Sequence, residues 1–148
     1  MNIVKIQTDL LKDALAGKGA NRIVNINDAE VIVVCDPVIY IFEPSQFVLD
    51  INKLNVKRDV PAVNNLLDAY EHAKPLTVTG IKKTIPISGK DVVGLELKSS
   101  IGELIYVDEA VLKNFDKKID FDGTEYGKPI YIYEGDVLAG VVMPLRTS

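Results

Sequence analysis

A single cysteine, Cys35, a single histidine, His72, and no tryptophan occur among the 148 residues of this chain. One cysteine excludes an intramolecular disulfide and any zinc site assembled from cysteine pairs, and it fits a reducing compartment. A lone imidazole offers neither a catalytic pair nor a metal cluster, so His72 reads as a surface residue. Long apolar runs are also missing. No stretch approaches the roughly 20 apolar residues of a membrane span, and Lys5, Asp9, Lys12 and Asp13 interrupt the N-terminal segment before a secretory core can form. The expectation is a cytoplasmic protein with no membrane partner. Positive charge is in short supply: 17 Lys and Arg stand against 21 Asp and Glu, a net charge of -4. That excludes a protein that grips nucleic acid with its whole surface but leaves room for local basic patches.

What is present is enough for a core. Hydrophobic residues make up 47% of the chain and charged residues 26%, which opposes disorder and predicts one α+β domain over 1–148. Residues 3 to 7 read as a short strand, with Thr8 or Asp9 capping a helix that carries Leu10, Leu11, Ala14 and Leu15 and stops at Gly17 and Gly19. The runs RIVNI, EVIVVC, VIYIF and FVLDI between Arg22 and Ile51 read as strands separated by turn residues. A second helix is expected from Asp59 to about Ala73, with Val63, Leu66, Leu67 and Tyr70 on one face and Pro75 as its stop. Residues 76 to 107 alternate like strands, broken at Gly80, Pro86, Gly89-Lys90 and Ile101-Gly102. Asp108 then caps a helix to about Lys117, burying Val111, Leu112 and Phe115, with Lys113 and Lys117 one turn apart on the opposite face. Ile119–Phe121, Pro129–Tyr133 and Gly140–Pro144 are the closing strands, with turns at Asp122-Gly123 and Glu134-Gly135.

Two segments repeat loosely at a displacement of about 101 positions. Ile3, Val4, Ile6, Leu10, Leu11 and Lys12 fall on Leu104, Ile105, Val107, Val111, Leu112 and Lys113. Other patterns carry no chemistry. Cys35 closes the apolar run Val31 to Val34 and has no neighbouring base that would make a thiolate. Asp120-Phe121-Asp122-Gly123 has the wrong residues around it for a calcium loop, and Gly17-Lys18-Gly19 follows a helix instead of opening one, so it is no phosphate loop. No catalytic residue, metal or cofactor is expected.

The C-terminal segment from GELIYVDEAVLKNF to GVVMPLRTS resembles the end of the bacterial sliding DNA clamps, the β subunit of DNA polymerase III. The resemblance rests on a strand, a capped helix and three strands, finishing in Val141-Val142-Met143-Pro144-Leu145-Arg146. It implies a DNA-clamp-like domain: two helices packed on antiparallel sheets from a repeated strand-helix-strands unit, here with an extra inserted helix near residues 60–73. It further implies a processivity or docking role in DNA replication. Val141, Val142, Met143, Pro144, Leu145 and Arg146 would line a groove for clamp-binding peptides of replication proteins, and Lys12, Lys113 and Lys117 would face duplex DNA without reading its sequence. Clamp chains carry three such domains, so a ring would need a homo-oligomer. The family's peptide pocket uses an Asn at the helix cap and a Tyr in its first turn, where this chain has Asp108 and Val111. The alternative is a non-catalytic structural or interaction protein, of the kind a mobile element carries, that retains the fold without binding DNA.

Overall fold

The computed structural model describes residues 1–18, 23–26, 30–35, 38–54, 73–123 and 128–146. Helix α1 spans Ile3–Leu15, with the Asn2 side chain capping it by accepting from the Lys5 amide. The expected strand at residues 3 to 7 is therefore helical, and the cap lies earlier than Thr8 or Asp9. Ile3, Ile6, Gln7 and Leu10 follow a helical period, so a helix puts all four on one face, whereas a strand would split them. Gln7 is buried on that face yet satisfied: its amide nitrogen donates to the Gln46 carbonyl and its oxygen accepts from the Val48 amide.

Nine strands lie in one antiparallel sheet among the described residues: β1 Ile23–Ile26, β2 Val31–Val34, β3 Val38–Phe42, β4 Lys74–Ile87, β5 Lys90–Lys98, β6 Leu104–Asp108, β7 Asp120–Gly123, β8 Ile130–Glu134 and β9 Val137–Val142. Their order across the sheet is β1-β2-β3-β9-β8-β7-β4-β5-β6. Two three-strand meanders, β1 to β3 and β7 to β9, thus meet at their last strands, with Val38 opposite Val142, Ile39 opposite Val141 and Tyr40 opposite Gly140. Each meander follows a helical segment, and equivalent strands begin at Ile23 and Asp120, Val31 and Ile130, Val38 and Val137. That displacement of roughly 100 positions is close to the repeat visible in the sequence. The segments that the sequence repeat aligns are nevertheless not equivalent, because residues 3 to 7 are helical where Leu104–Asp108 is a strand.

The expected second helix of the repeat, 108 to 117, is only a 3-10 turn, Glu109–Leu112. Asp108 caps it as expected, accepting from the Ala110 amide. It stops because the next residues are pulled inward: the Asn114 amide donates to the Tyr40 hydroxyl, and the Phe115 ring packs 5.3 Å from the Tyr40 ring. The run FVLDI is not a strand either. It lies between 3-10 turns at Pro44–Gln46 and Ile51–Lys53, and the Val48 amide spends its hydrogen bond on Gln7 instead of a neighbouring strand. Asp122-Gly123 lies inside β7, Pro86 lies inside β4, and Gly80, at φ 83°, sits in a bulge of β4 where the register shifts between Val78 and Lys82. Gly135, at φ 64°, makes the expected turn between β8 and β9. The helix expected near residues 60–73 lies outside the described residues as far as residue 72, as does His72; Ala73 leads directly into β4.

The main core gathers Ile6 and Leu10 of α1, Val33, Tyr40, Ile132 and Val142 of the meanders, and Leu97, Ile105 and Val107 of β5 and β6. The opposite face of the meanders buries Ile32, Ile41, Tyr131 and Val141. Burial on both faces explains why EVIVVC and VIYIF are continuous apolar runs instead of alternating ones. No described helix is long and apolar enough to cross a membrane.

Candidate functional site

Helix α1 and the 3-10 turn Glu109–Leu112 both border the main core. The Asn2 amide donates to the Asn114 carbonyl at 2.6 Å, and the Met1 ammonium pairs with Asp116 and Glu134. A cavity of about 330 Å³ opens between the two segments, lined by Ile6, Asp9 and Leu10 from one and Val111, Lys113 and Asn114 from the other, with Cys35 and Tyr40 among its other walls. Its polar groups already have partners: Asp9 pairs with Lys5 at 2.8 Å, and Asn114 donates to Tyr40. Cys35 is half-buried here. Among the described residues no group of three or more His, Cys, Asp or Glu stands where a metal ion could be held.

The three lysines assigned to DNA are all exposed. Lys12 lies in the last turn of α1, Lys113 follows the 3-10 turn beside the cavity, and Lys117 lines the neighbouring groove with Leu112, Phe115 and Phe121. The C-terminal segment is divided. Val141 and Val142 are buried in β9 on opposite faces of the sheet, while Met143 is 41% exposed. Pro144 and Leu145 are half-buried and Arg146 is exposed. Leu145 crosses to the other end of the sheet, where its amide donates to the Tyr106 carbonyl at 2.7 Å. Its side chain closes on Gly94 beside Ile85 and Tyr106.

Sequence reasoning missed the polar cluster next to that contact. Glu96 of β5 is buried, and its carboxylate accepts from the Tyr106 hydroxyl at 2.7 Å and the Thr79 hydroxyl at 2.9 Å. The bulge at Gly80 brings Thr79 into position, and the Lys83 ammonium lies 5.4 Å from the Tyr106 ring centre. The pattern LEL looked like ordinary alternation, and no local signal marks a glutamate whose partners come from a bulge and a neighbouring strand.

One carboxyl is held under tension. Burial, and next the charge of Asp120, push Asp122 above its ordinary value of 3.8. A raised carboxyl stabilises the fold only while protonated, and this contribution is lost as pH rises through its folded value. Asp122→Asn is therefore expected to melt at a higher temperature than the parent at pH 7, with the difference vanishing below about pH 3.8. Scanning calorimetry at both pH values checks this, and an equal or lower melting temperature at pH 7 defeats it.

No family model, curated protein or solved structure matches the chain.

Proposed function

We propose that this chain is a clamp-like, non-catalytic accessory protein of DNA replication, working in the cytoplasm as an assembly of several copies around duplex DNA. The observation that supports this most directly is the pair of meanders, one preceded by helix α1 and the other by the 3-10 turn Glu109–Leu112, with Lys12, Lys113 and Lys117 exposed. Phosphate contacts of this kind position a protein without reading bases, so binding is expected to be weak, sequence-independent and steeply salt-dependent. Clamp-binding peptides of other replication proteins would meet the accessible part of the C-terminal segment, Met143 with Pro144 and Leu145. The net charge of -4 favours a second reading, an interaction protein that keeps the fold without DNA.

Mass measurement coupled to size exclusion, with duplex present and absent, tests the assembly. A multimer that survives dilution and releases linear DNA more readily than circular DNA supports the proposal, whereas a monomer under both conditions removes encirclement. Lys113→Glu with Lys117→Glu is expected to abolish duplex binding measured by fluorescence anisotropy. Affinity that ignores salt or survives the double substitution moves the balance to the second reading.

A further inference from the structure

We infer that the β4–β5 hairpin is an arm that binds the phosphate backbone of duplex nucleic acid through Lys83, Lys90 and Lys98, a set of lysines distinct from Lys12, Lys113 and Lys117. The pairing of the strands defines the arm. β6 accompanies β5 only from Gly94 to Lys98, while the pairs Thr84 with Val93, Ile85 with Val92, Pro86 with Asp91 and Ile87 with Lys90 continue beyond it as two strands. Ser88 and Gly89, at φ 49° and 80°, close the tip in a tight turn whose twist suits a two-residue hairpin.

A two-stranded ribbon is marginal in water on its own. This one is fastened at its root, where Ile85, Tyr106 and Leu145 close around Gly94. The rest is largely exposed on both faces, including residues 81 to 84 and 88 to 91.

Charge then selects the partner. The chain as a whole carries -4, yet residues 74 to 98 hold Lys74, Lys82, Lys83, Lys90 and Lys98 against only Asp91 and Glu96. Strand alternation sorts them further. Lys83 is opposite Gly94, so it shares a face with Lys90, Gly94, Glu96 and Lys98; Lys82 and Asp91 belong to the other face, where Lys82 pairs with Glu109 at 2.9 Å. Two carboxylates share the Lys83 face: Glu96, which is buried and occupied by Tyr106 and Thr79, and Asp108, which stands opposite Gly94, is half-buried and accepts from the Ala110 amide. The face thus presents three exposed cations against one half-buried carboxylate that is already engaged by a backbone amide. Lys90 and Lys98 are eight positions apart on one strand, a reach of roughly 27 Å, which spans several phosphates of a duplex at 3.4 Å per base pair. Protein partners are usually held by aromatic and arginine anchors, and residues 74 to 98 include neither, so a regular polyanion fits the hairpin better. The inference goes beyond the clamp reading and does not need the chain to encircle DNA.

The test is fluorescence anisotropy of the full chain with a labelled duplex at about 50 and 200 mM salt. Three lysine contacts should cost roughly 40-fold in affinity between those conditions. Lys83→Glu, Lys90→Glu and Lys98→Glu together should lower affinity at least tenfold at low salt and flatten the salt dependence. Lys90→Gln, at the tip and outside all packing, should lower it severalfold without touching the fold. Unchanged affinity in both variants overturns the arm. So does binding to polyglutamate but not to duplex, which would indicate an acidic protein partner. Loss in the Lys113→Glu, Lys117→Glu protein with no loss in the arm variants overturns the arm while keeping the helical face. The reverse result keeps the arm and removes the helical face.

Discussion

Replacing Gly140 by alanine is expected to cost about 3 kcal/mol of stability, the upper part of the range for overpacked cores. A Cβ at this position would stand 2.5 Å from the Ile39 carbonyl oxygen and 2.5 and 2.8 Å from two carbons of the Phe115 ring. The ring can turn, but the carbonyl belongs to β3, the strand that pairs with β9 across the junction of the two meanders. Room for a methyl group is made only by parting that junction. Glycine within a strand ordinarily weakens it by roughly 0.5–1 kcal/mol relative to alanine, so a simple propensity argument predicts the opposite sign. Urea unfolding followed by circular dichroism decides between them, with a lower midpoint expected. Combining Gly140→Ala with Phe115→Ala should leave part of the penalty in place, since the carbonyl clash remains. A Gly140→Ala midpoint at or above the parent's would refute this account of the junction.

Tyr106→Phe should cost about 1.5–3 kcal/mol, the range for a hydrogen bond to a charged group. The substitution keeps the ring and removes only the donor to Glu96, leaving the buried carboxylate its hydrogen bond from the Thr79 hydroxyl. Glu96→Gln should cost less, because an amide oxygen still accepts from the phenol and the Thr79 hydroxyl can turn to accept from the amide. The hydrogen bond to Glu96, then burial, then the glutamate's charge raise the Tyr106 phenol above its ordinary 10.0. The sign follows from that direction: the stabilisation is complete below pH 10 and is lost as pH rises through the folded value. Equilibrium unfolding of the three proteins at neutral pH, together with tyrosinate absorbance during alkaline titration, tests both parts. A Tyr106→Phe protein as stable as the parent, or a loss in Glu96→Gln exceeding that in Tyr106→Phe, contradicts the assignment.

The strands were the most legible part of the sequence. β2, β3 and β8 are dense in β-branched and aromatic residues, which suit a sheet buried on both faces whichever strands become their neighbours. The helical segments were legible in their faces but not in their lengths. Ile6 and Leu10 are buried as an amphipathic pattern requires, yet the β-branched Ile3, Val4 and Ile6 suggested a strand because propensity weighs residue type and packing weighs position. Phe115 likewise joins the core as expected, while the continuous helix around it does not form. Of the candidate site residues, the three lysines lie at the surface, but the helix whose spacing was to place Lys113 and Lys117 on one face does not form. In the C-terminal segment, nothing local separated the buried Val141 and Val142 from the exposed Met143.

Composition and periodicity determined on their own that this chain builds a mixed α and β core and that its charge cannot hold nucleic acid everywhere. These properties depend on residue type and spacing along the chain. Tertiary structure alone decided that the meanders join through β3 and β9, that Gly140 must lack a side chain, that Glu96 is satisfied by Thr79 and Tyr106, and that Lys83, Lys90 and Lys98 share one face. Each depends on contacts between residues remote in sequence, where strand register and one bulge choose the neighbours, and a shift of one position would have turned every side chain to the other face.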